Sequence, residues 1–118
     1  MNTIAVDAMG GDSAPIDIVK GAIKAKEQGV DVVLCGDKNL INPYLENNEI
    51  PVFDFPQVIS MDEDPLKAIR NKKNASIVGC MQLLKDKKVQ AVFSAGSTGA
   101  TLISCLLYTS DAADDTSG

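Results

Sequence analysis

The sequence predicts an α/β fold, a parallel sheet sandwiched between helices on both faces. Three observations carry that expectation. Short β-branched runs alternate with longer amphipathic stretches along the chain. The second such run, Val30 to Leu34, is almost continuously apolar, as a strand buried on both faces must be. Glycine-containing turns follow the first and fourth runs, at the carboxyl edge where open parallel sheets bind ligands.

In order, Thr3 to Val6 reads as a first strand closed by a tight turn at Gly10-Gly11. Ser13 is expected to cap a helix whose first turn accommodates Pro15. Ile16, Val19, Ala22 and Ile23 share one face of that helix, and Gly29 ends it. After the second strand, Asp37 caps a helix reaching about Asn47, kept short or irregular by Pro43. Ile50 to Phe55 forms a third, weaker strand with Pro51 and Pro56 near its ends. Acidic residues Asp62 to Asp64 then precede Pro65 and a helix over Leu66 to Lys73, an order the helix dipole favours. A further helix from about Ser76 to Lys87 carries Ile77, Cys80, Met81 and Leu84 on one face. Gln90 to Phe93 is the fourth strand, and Leu102, Ile103, Leu106 and Leu107 continue beyond its turn as an apolar helix.

Composition narrows the chemistry. The 118 residues suit one ordinary domain, and a net charge of −5 argues against nonspecific nucleic-acid binding. Histidine is absent from the sequence, which removes Ser-His-Asp and Cys-His catalysis and imidazole metal ligation within this chain. No metal and no cofactor is therefore expected. Trp is absent and aromatics make up 4%, too few for base-stacking surfaces. Cys35, Cys80 and Cys105 lie far apart with no CxxC pair and read as reduced thiols of a cytoplasmic protein, packed as small apolar residues. No targeting segment opens the chain, because Asp7 interrupts the first apolar run. The uncharged stretch from Val89 to Ser110 is too rich in Gly, Ser and Thr for a membrane span. A soluble protein is expected.

Two turns and one patch could hold chemistry. The turn Asp7-Ala8-Met9-Gly10-Gly11-Asp12 places two carboxylates beside two glycines at the ligand edge, although Asp in such turns commonly serves as a cap. The turn Ser94-Ala95-Gly96-Ser97-Thr98-Gly99 offers glycines, hydroxyls and a following helix start, as an anion site requires. It matches neither the Walker A nor the GxGxxG pattern, and conformational need alone also explains Gly and Ser in such turns. Lys67, Arg70, Lys72 and Lys73 form the concentrated positive patch, with Lys67 and Arg70 on one helix face. Such a patch is either simply solvated or holds a phosphate or an acidic partner.

Three blocks in order carry a resemblance. Ile4-Ala5-Val6-Asp7-Ala8-Met9-Gly10-Gly11-Asp12 with Pro15, then Asp64-Pro65-Leu66-Lys67-Ala68-Ile69-Arg70 with Lys72-Lys73, then Val92-Phe93-Ser94-Ala95-Gly96-Ser97-Thr98-Gly99-Ala100 resemble the bacterial phosphate acyltransferases of phospholipid synthesis. Ser97 stands where that family usually has Asn, and Asn74-Ala75-Ser76 where it tends to have Asp-Ser-Ser. The resemblance implies a Rossmann-like αβα sandwich of the phosphotransacetylase and isocitrate dehydrogenase kind. It implies transfer of a fatty acyl group from acyl carrier protein to inorganic phosphate by a cytoplasmic homodimer, with peripheral association at the inner face of the membrane. Phosphate is its own nucleophile, so the site must supply N–H groups and cations rather than a general base. Asp7, Asp12, Lys67 and Arg70 are then the catalytic candidates, and Gly10, Gly11, Ser94, Gly96, Ser97, Thr98 and Gly99 the candidates for phosphate and substrate binding. The alternatives are a phosphotransacetylase-like or glycine-reductase-subunit-like enzyme, or a noncatalytic α/β ligand-binding module.

The resemblance stops near Ser104. From Cys105 to Asp115 the string looks like the translation of a sequencing adapter. The expected organisation is residues 1–104 as the N-terminal part of a phosphate acyltransferase domain, truncated after about four strands, and residues 105–118 as a non-native tail. A sheet so cut is expected to expose apolar surface and an unpaired edge, and to be inactive by itself.

Overall fold

The chain opens on strand β1 (Thr3–Asp7), whose Ala5, Val6 and Asp7 are all buried. The computed structural model describes residues 2–60, 62–96, 99–101 and 103. Helix α1 (Ile16–Glu27) follows and buries Val19 and Ala22 against the sheet. Ser13 does not cap it through its side chain: Pro15 holds the cap position, and the Ser13 carbonyl accepts the Asp17 amide at 3.1 Å. The far end closes as the sequence anticipates. Gly29 adopts φ +92°, its amide donates to the Lys26 carbonyl at 2.9 Å, and Val30 donates to Ala25 at 3.0 Å, which together satisfy the last carbonyls of α1.

Strand β2 (Asp31–Gly36) is buried from Val32 to Gly36, so both of its faces are covered. Asp37 caps helix α2 (Lys38–Ile41) by accepting the Asn39 amide at 3.0 Å. The helix tightens into a 3-10 turn over Asn42–Tyr44 and stops short of the expected Asn47, since Glu46 and Asn47 take left-handed φ of 52° and 68°. Strand β3 (Val52–Asp54) is also shorter than expected, because Pro51 and Pro56 have no N–H for a ladder. Helices α3 (Pro65–Asn71) and α4 (Ser76–Lys85) lead to strand β4 (Ala91–Phe93), and residues 99–101 and 103 are again helical.

The sheet order is β3-β2-β1-β4 and every pairing is parallel. The α/β class and the helices on both faces are as the sequence predicts. Side-chain alternation along the strands sorts the two faces. Val6, Ala8, Val32 and Leu34 pack with Val19 and Ala22 of α1. Ala5, Val33 and Cys35 pack on the opposite face with Cys80 and Leu83 of α4. Asp7, two residues after Ala5, therefore belongs to the α4 face. The chain runs outward from β1 through β2 to β3, then returns past β1 to β4. The order thus reverses between β1 and β4, and a crevice opens there at the carboxyl ends of the strands.

Among the described residues, no helix is long and apolar enough to cross a membrane. Cys105 and the boundary expected at residue 104 lie outside the described residues.

Candidate functional site

Asp7 sits at the reversal point with 3% of its surface exposed. A buried carboxylate is tolerated only when its oxygens are satisfied, and here three donors reach it. Ser76 Oγ, from the first residue of α4, donates to Oδ1 at 2.5 Å. The Met9 amide donates to the same oxygen at 3.1 Å, and Ser94 Oγ donates to Oδ2 at 2.8 Å. Ser94 Oγ in turn accepts the Gly96 amide at 3.1 Å. One carboxylate thus ties together the ends of β1 and β4 and the start of α4.

The two turns singled out from the sequence meet in space. A Cβ on Gly10 would stand 2.8 Å from Asp7 Oδ2 and 2.8 Å from the Gly96 nitrogen, so this approach requires a residue without a side chain. The amides of Gly10, Gly11, Asp12 and Ser13 find no acceptor among the described residues, although Gly10 is buried. A buried backbone donor without a partner is costly and marks a place for a ligand or water.

Two adjoining spaces open here and share Met9, Val58, Ile59 and Gly96 as walls. One is a recess of about 10 Å³ lined by Asp7, Ser76 and Ser94, about the size of one water. The other is a cavity of about 320 Å³ reaching Gly11, Asp12, Ser60 and Asp62. Val58, Ile59, Ser60 and Asp62 form one wall of it, and Lys72 and Glu63 hold Val58 and Ser60. Lys72 Nζ donates to the Val58 carbonyl at 2.8 Å and pairs with Glu63 Oε2 at 2.8 Å, while the Ser60 amide donates to the same Glu63 oxygen at 2.8 Å. The hydrogen bond from Lys72 and then that from Ser60 hold the Glu63 carboxyl below its ordinary value of 4.5.

The structure thus brings Asp7, Gly10, Gly11, Asp12, Ser94 and Gly96 to one place. Gly99 lies in the helical stretch that follows, and Ser97 and Thr98 lie outside the described residues. Lys67 and Arg70 stand exposed on α3, and neither lines the recess or the cavity. Lys73 is exposed as well, whereas Lys72 is committed to the loop. Ser76 is the residue that sequence reasoning missed. A hydroxyl opening a helix reads as a cap, and only the fold carries it to a carboxylate 69 positions away. Its one signal was that the triplet Asn74-Ala75-Ser76 keeps the serine with which the resembling family's triplet ends.

Cys35 and Cys80 are both buried on the α4 face, as expected for small apolar residues. The hydrogen bond with Cys35, burial and the nearby Asp7 charge push the Cys80 thiol far above its ordinary range, which keeps it un-ionised and inert. Among the described residues, no group of three His, Cys, Asp or Glu is placed to hold a metal ion.

Comparison with known proteins adds a family. The fatty acid synthesis protein family matches residues 2–112. A phosphate acyltransferase of Gloeothece citriformis (strain PCC 7424) is 50% identical over 109 residues, covering 88% of this chain and 31% of the relative. One from Nostoc punctiforme (strain ATCC 29133 / PCC 73102) is 47% identical over 109 residues, with 88% and 32% covered. One from Desulforamulus reducens (strain ATCC BAA-1160 / DSM 100696 / MI-1) is 48% identical over 111 residues, with 90% and 33% covered. The chain spans about a third of the length of these curated relatives.

Proposed function

Since the chain belongs to the fatty acid synthesis protein family, we propose that it carries the phosphate-holding part of a phosphate acyltransferase. In that reaction a fatty acyl group passes from acyl carrier protein to inorganic phosphate, giving acyl phosphate for phospholipid synthesis. The observation that carries this reading is the meeting of Asp7, Gly10 and Gly96 at the reversal of strand order, beside four amides with no acceptor among the described residues. Backbone N–H groups at such an edge bind tetrahedral oxyanions without needing a cationic side chain.

The chemistry balances without a histidine. A phosphate oxygen attacks the thioester carbonyl carbon, a C–O bond forms, and the C–S bond breaks. The thiol departs with the proton that hydrogen phosphate brought. Holding phosphate in line with the carbonyl, and holding the oxyanion that develops there, are the tasks left to the protein.

Lys67, Arg70 and Lys73 are exposed rather than gathered at the cavity, which favours a docking role for them toward the acidic carrier protein. The reading extends to a cytoplasmic homodimer that meets the inner face of the membrane where its product is used. It also keeps residues 105–118 as an adapter-derived tail, which alignment of the underlying nucleotides to the adapter sequence checks.

The direct test uses a full-length family member carrying this sequence. Adding inorganic phosphate to that protein with acyl-acyl carrier protein should release carrier thiol and form acyl phosphate in equal amounts. Strict dependence on coenzyme A would overturn the carrier-protein reading, and no thiol release from either donor would leave a binding module.

A further inference from the structure

The polarity of the Asp7 network carries information about which anion the site accepts. Ser76 Oγ and Ser94 Oγ each commit their single proton to Asp7. A hydroxyl has one proton and two lone pairs, so both serines turn only lone pairs toward the recess. The ionised carboxylate is acceptor-only as well. The Gly96 amide, a donor close by, is already given to Ser94 Oγ. The side of the recess formed by Asp7, Ser76 and Ser94 therefore turns acceptors toward it, while Gly10, which also lines it, brings a backbone amide. The adjoining cavity brings donors, because the Gly11 and Asp12 amides at its wall have no acceptor among the described residues, and the Asp12 and Asp62 side chains line it as well.

We propose that the Asp7–Ser76–Ser94 floor makes this site selective for hydrogen phosphate over sulfate. The inference rests on the phosphate reading above and specifies it. An oxyanion lying across the two spaces turns unprotonated oxygens to the amides and one oxygen to the acceptor floor. That last oxygen is accommodated only if it bears a proton. Near neutral pH inorganic phosphate keeps at least one proton and sulfate keeps none, although the two ions are alike in shape. Sulfate would set a lone pair against a buried carboxylate 3% exposed, and the Met9 amide and the Ser76 and Ser94 hydroxyls around it are already given to that carboxylate. The recess, at about 10 Å³, holds a single oxygen atom, so an anion oxygen seated in it leaves no room for a relaying water beside it. Sites built to receive a ligand hydroxyl reject analogues lacking it by large factors, so a preference of about 100-fold or more is expected.

The test is competitive binding to the full-length family member carrying this sequence, with inorganic phosphate and sulfate as the probes at neutral pH. Phosphate should bind, and sulfate should compete at least about 100-fold more weakly. Asp7→Asn replaces one acceptor oxygen by an N–H₂ donor, so phosphate should weaken, sulfate should strengthen, and their ratio should fall toward unity. A purely structural role for Asp7 would weaken both ions alike and leave the ratio unchanged, and that result overturns the proposal. Equal binding of both ions by the unsubstituted protein overturns it too, whatever the variant does. Acyl phosphate formation alongside such equal binding would sink the selectivity and keep the phosphate reading. Failure of either ion to bind would remove both.

Discussion

At the scale of single residues, the site depends on close approach and on saturation of one carboxylate. Gly10 has no spare volume, so Gly10→Ala should force Asp7 and the Gly96 backbone apart. The expected cost is about 1–3 kcal/mol, read as a lowered midpoint in chemical denaturation. Ser76→Ala removes one of the three donors on Asp7 and leaves that buried carboxylate partly unpaired. Hydrogen bonds to charged groups contribute about 1.5–3 kcal/mol, so a loss of that order is expected by the same measurement. Asp7 and Ser94 were visible in the sequence because each stands at or just past the end of a strand, two or three residues before a glycine, a local pattern. Ser76 was not visible, because its role comes from a contact made across the fold rather than from its neighbours in the chain.

At the scale of elements, the ends explain which boundaries could be read. Gly29 and Asp37 act where the sequence placed them, since a helix stop and a helix cap are short-range devices. Ser13 had the right residue type for a cap but lies outside the first turn of α1, which starts only at Ile16. Gly29→Ala should cost about 1 kcal/mol despite empty space around the position, because φ +92° strains any other residue. Thermal unfolding measures that effect. The wall of the cavity makes a pH-dependent prediction. The folded value of Glu63 lies below its unfolded value, so its contribution is present above about 4.5 and is lost as the pH falls through the folded value. Acidification should therefore loosen the hold of Glu63 on Lys72 and on the Ser60 amide while the sheet persists. Hydrogen exchange at the Ser60 amide should accelerate there ahead of exchange at Leu34, whose amide bonds the Pro51 carbonyl at 2.9 Å. Simultaneous acceleration at both would show that the loop has no independent opening.

At the scale of the whole molecule, the parallel class was legible but the strand order was not. Alternation of strands and helices implies parallel crossovers, whereas nothing in the local pattern says on which side of β1 the fourth strand returns. Among the described residues, the observed order, with β4 beyond β1, leaves the two faces of the sheet unequally covered. Helix α4 contacts both β1 and β4, and Ala100 and Ile103 pack in the cluster that includes Met81 of α4. Helix α1 covers the other face beside β2, and its neighbour there is an apolar groove of about 400 Å³ lined by Ile4, Val6, Ile18 and Phe93. Phe93 is 53% exposed in that groove, though parallel sheets of this kind ordinarily bury both faces. Among the described residues β4 is the last strand on this side, and an exposed apolar face beside it favours self-association, because each new contact removes apolar area from water. The 118-residue chain should therefore scatter light in a concentration-dependent way and bind a hydrophobic dye. Phe93→Asp should reduce both signals, since a charge in the groove resists desolvation while the paired Val92 still packs toward α4. The same substitution in a full-length family member should instead lower thermal stability by several degrees if that groove is filled by further polypeptide. An unchanged melting temperature there would show the groove to be open to solvent in the longer protein as well, and would make this face a surface rather than an interior.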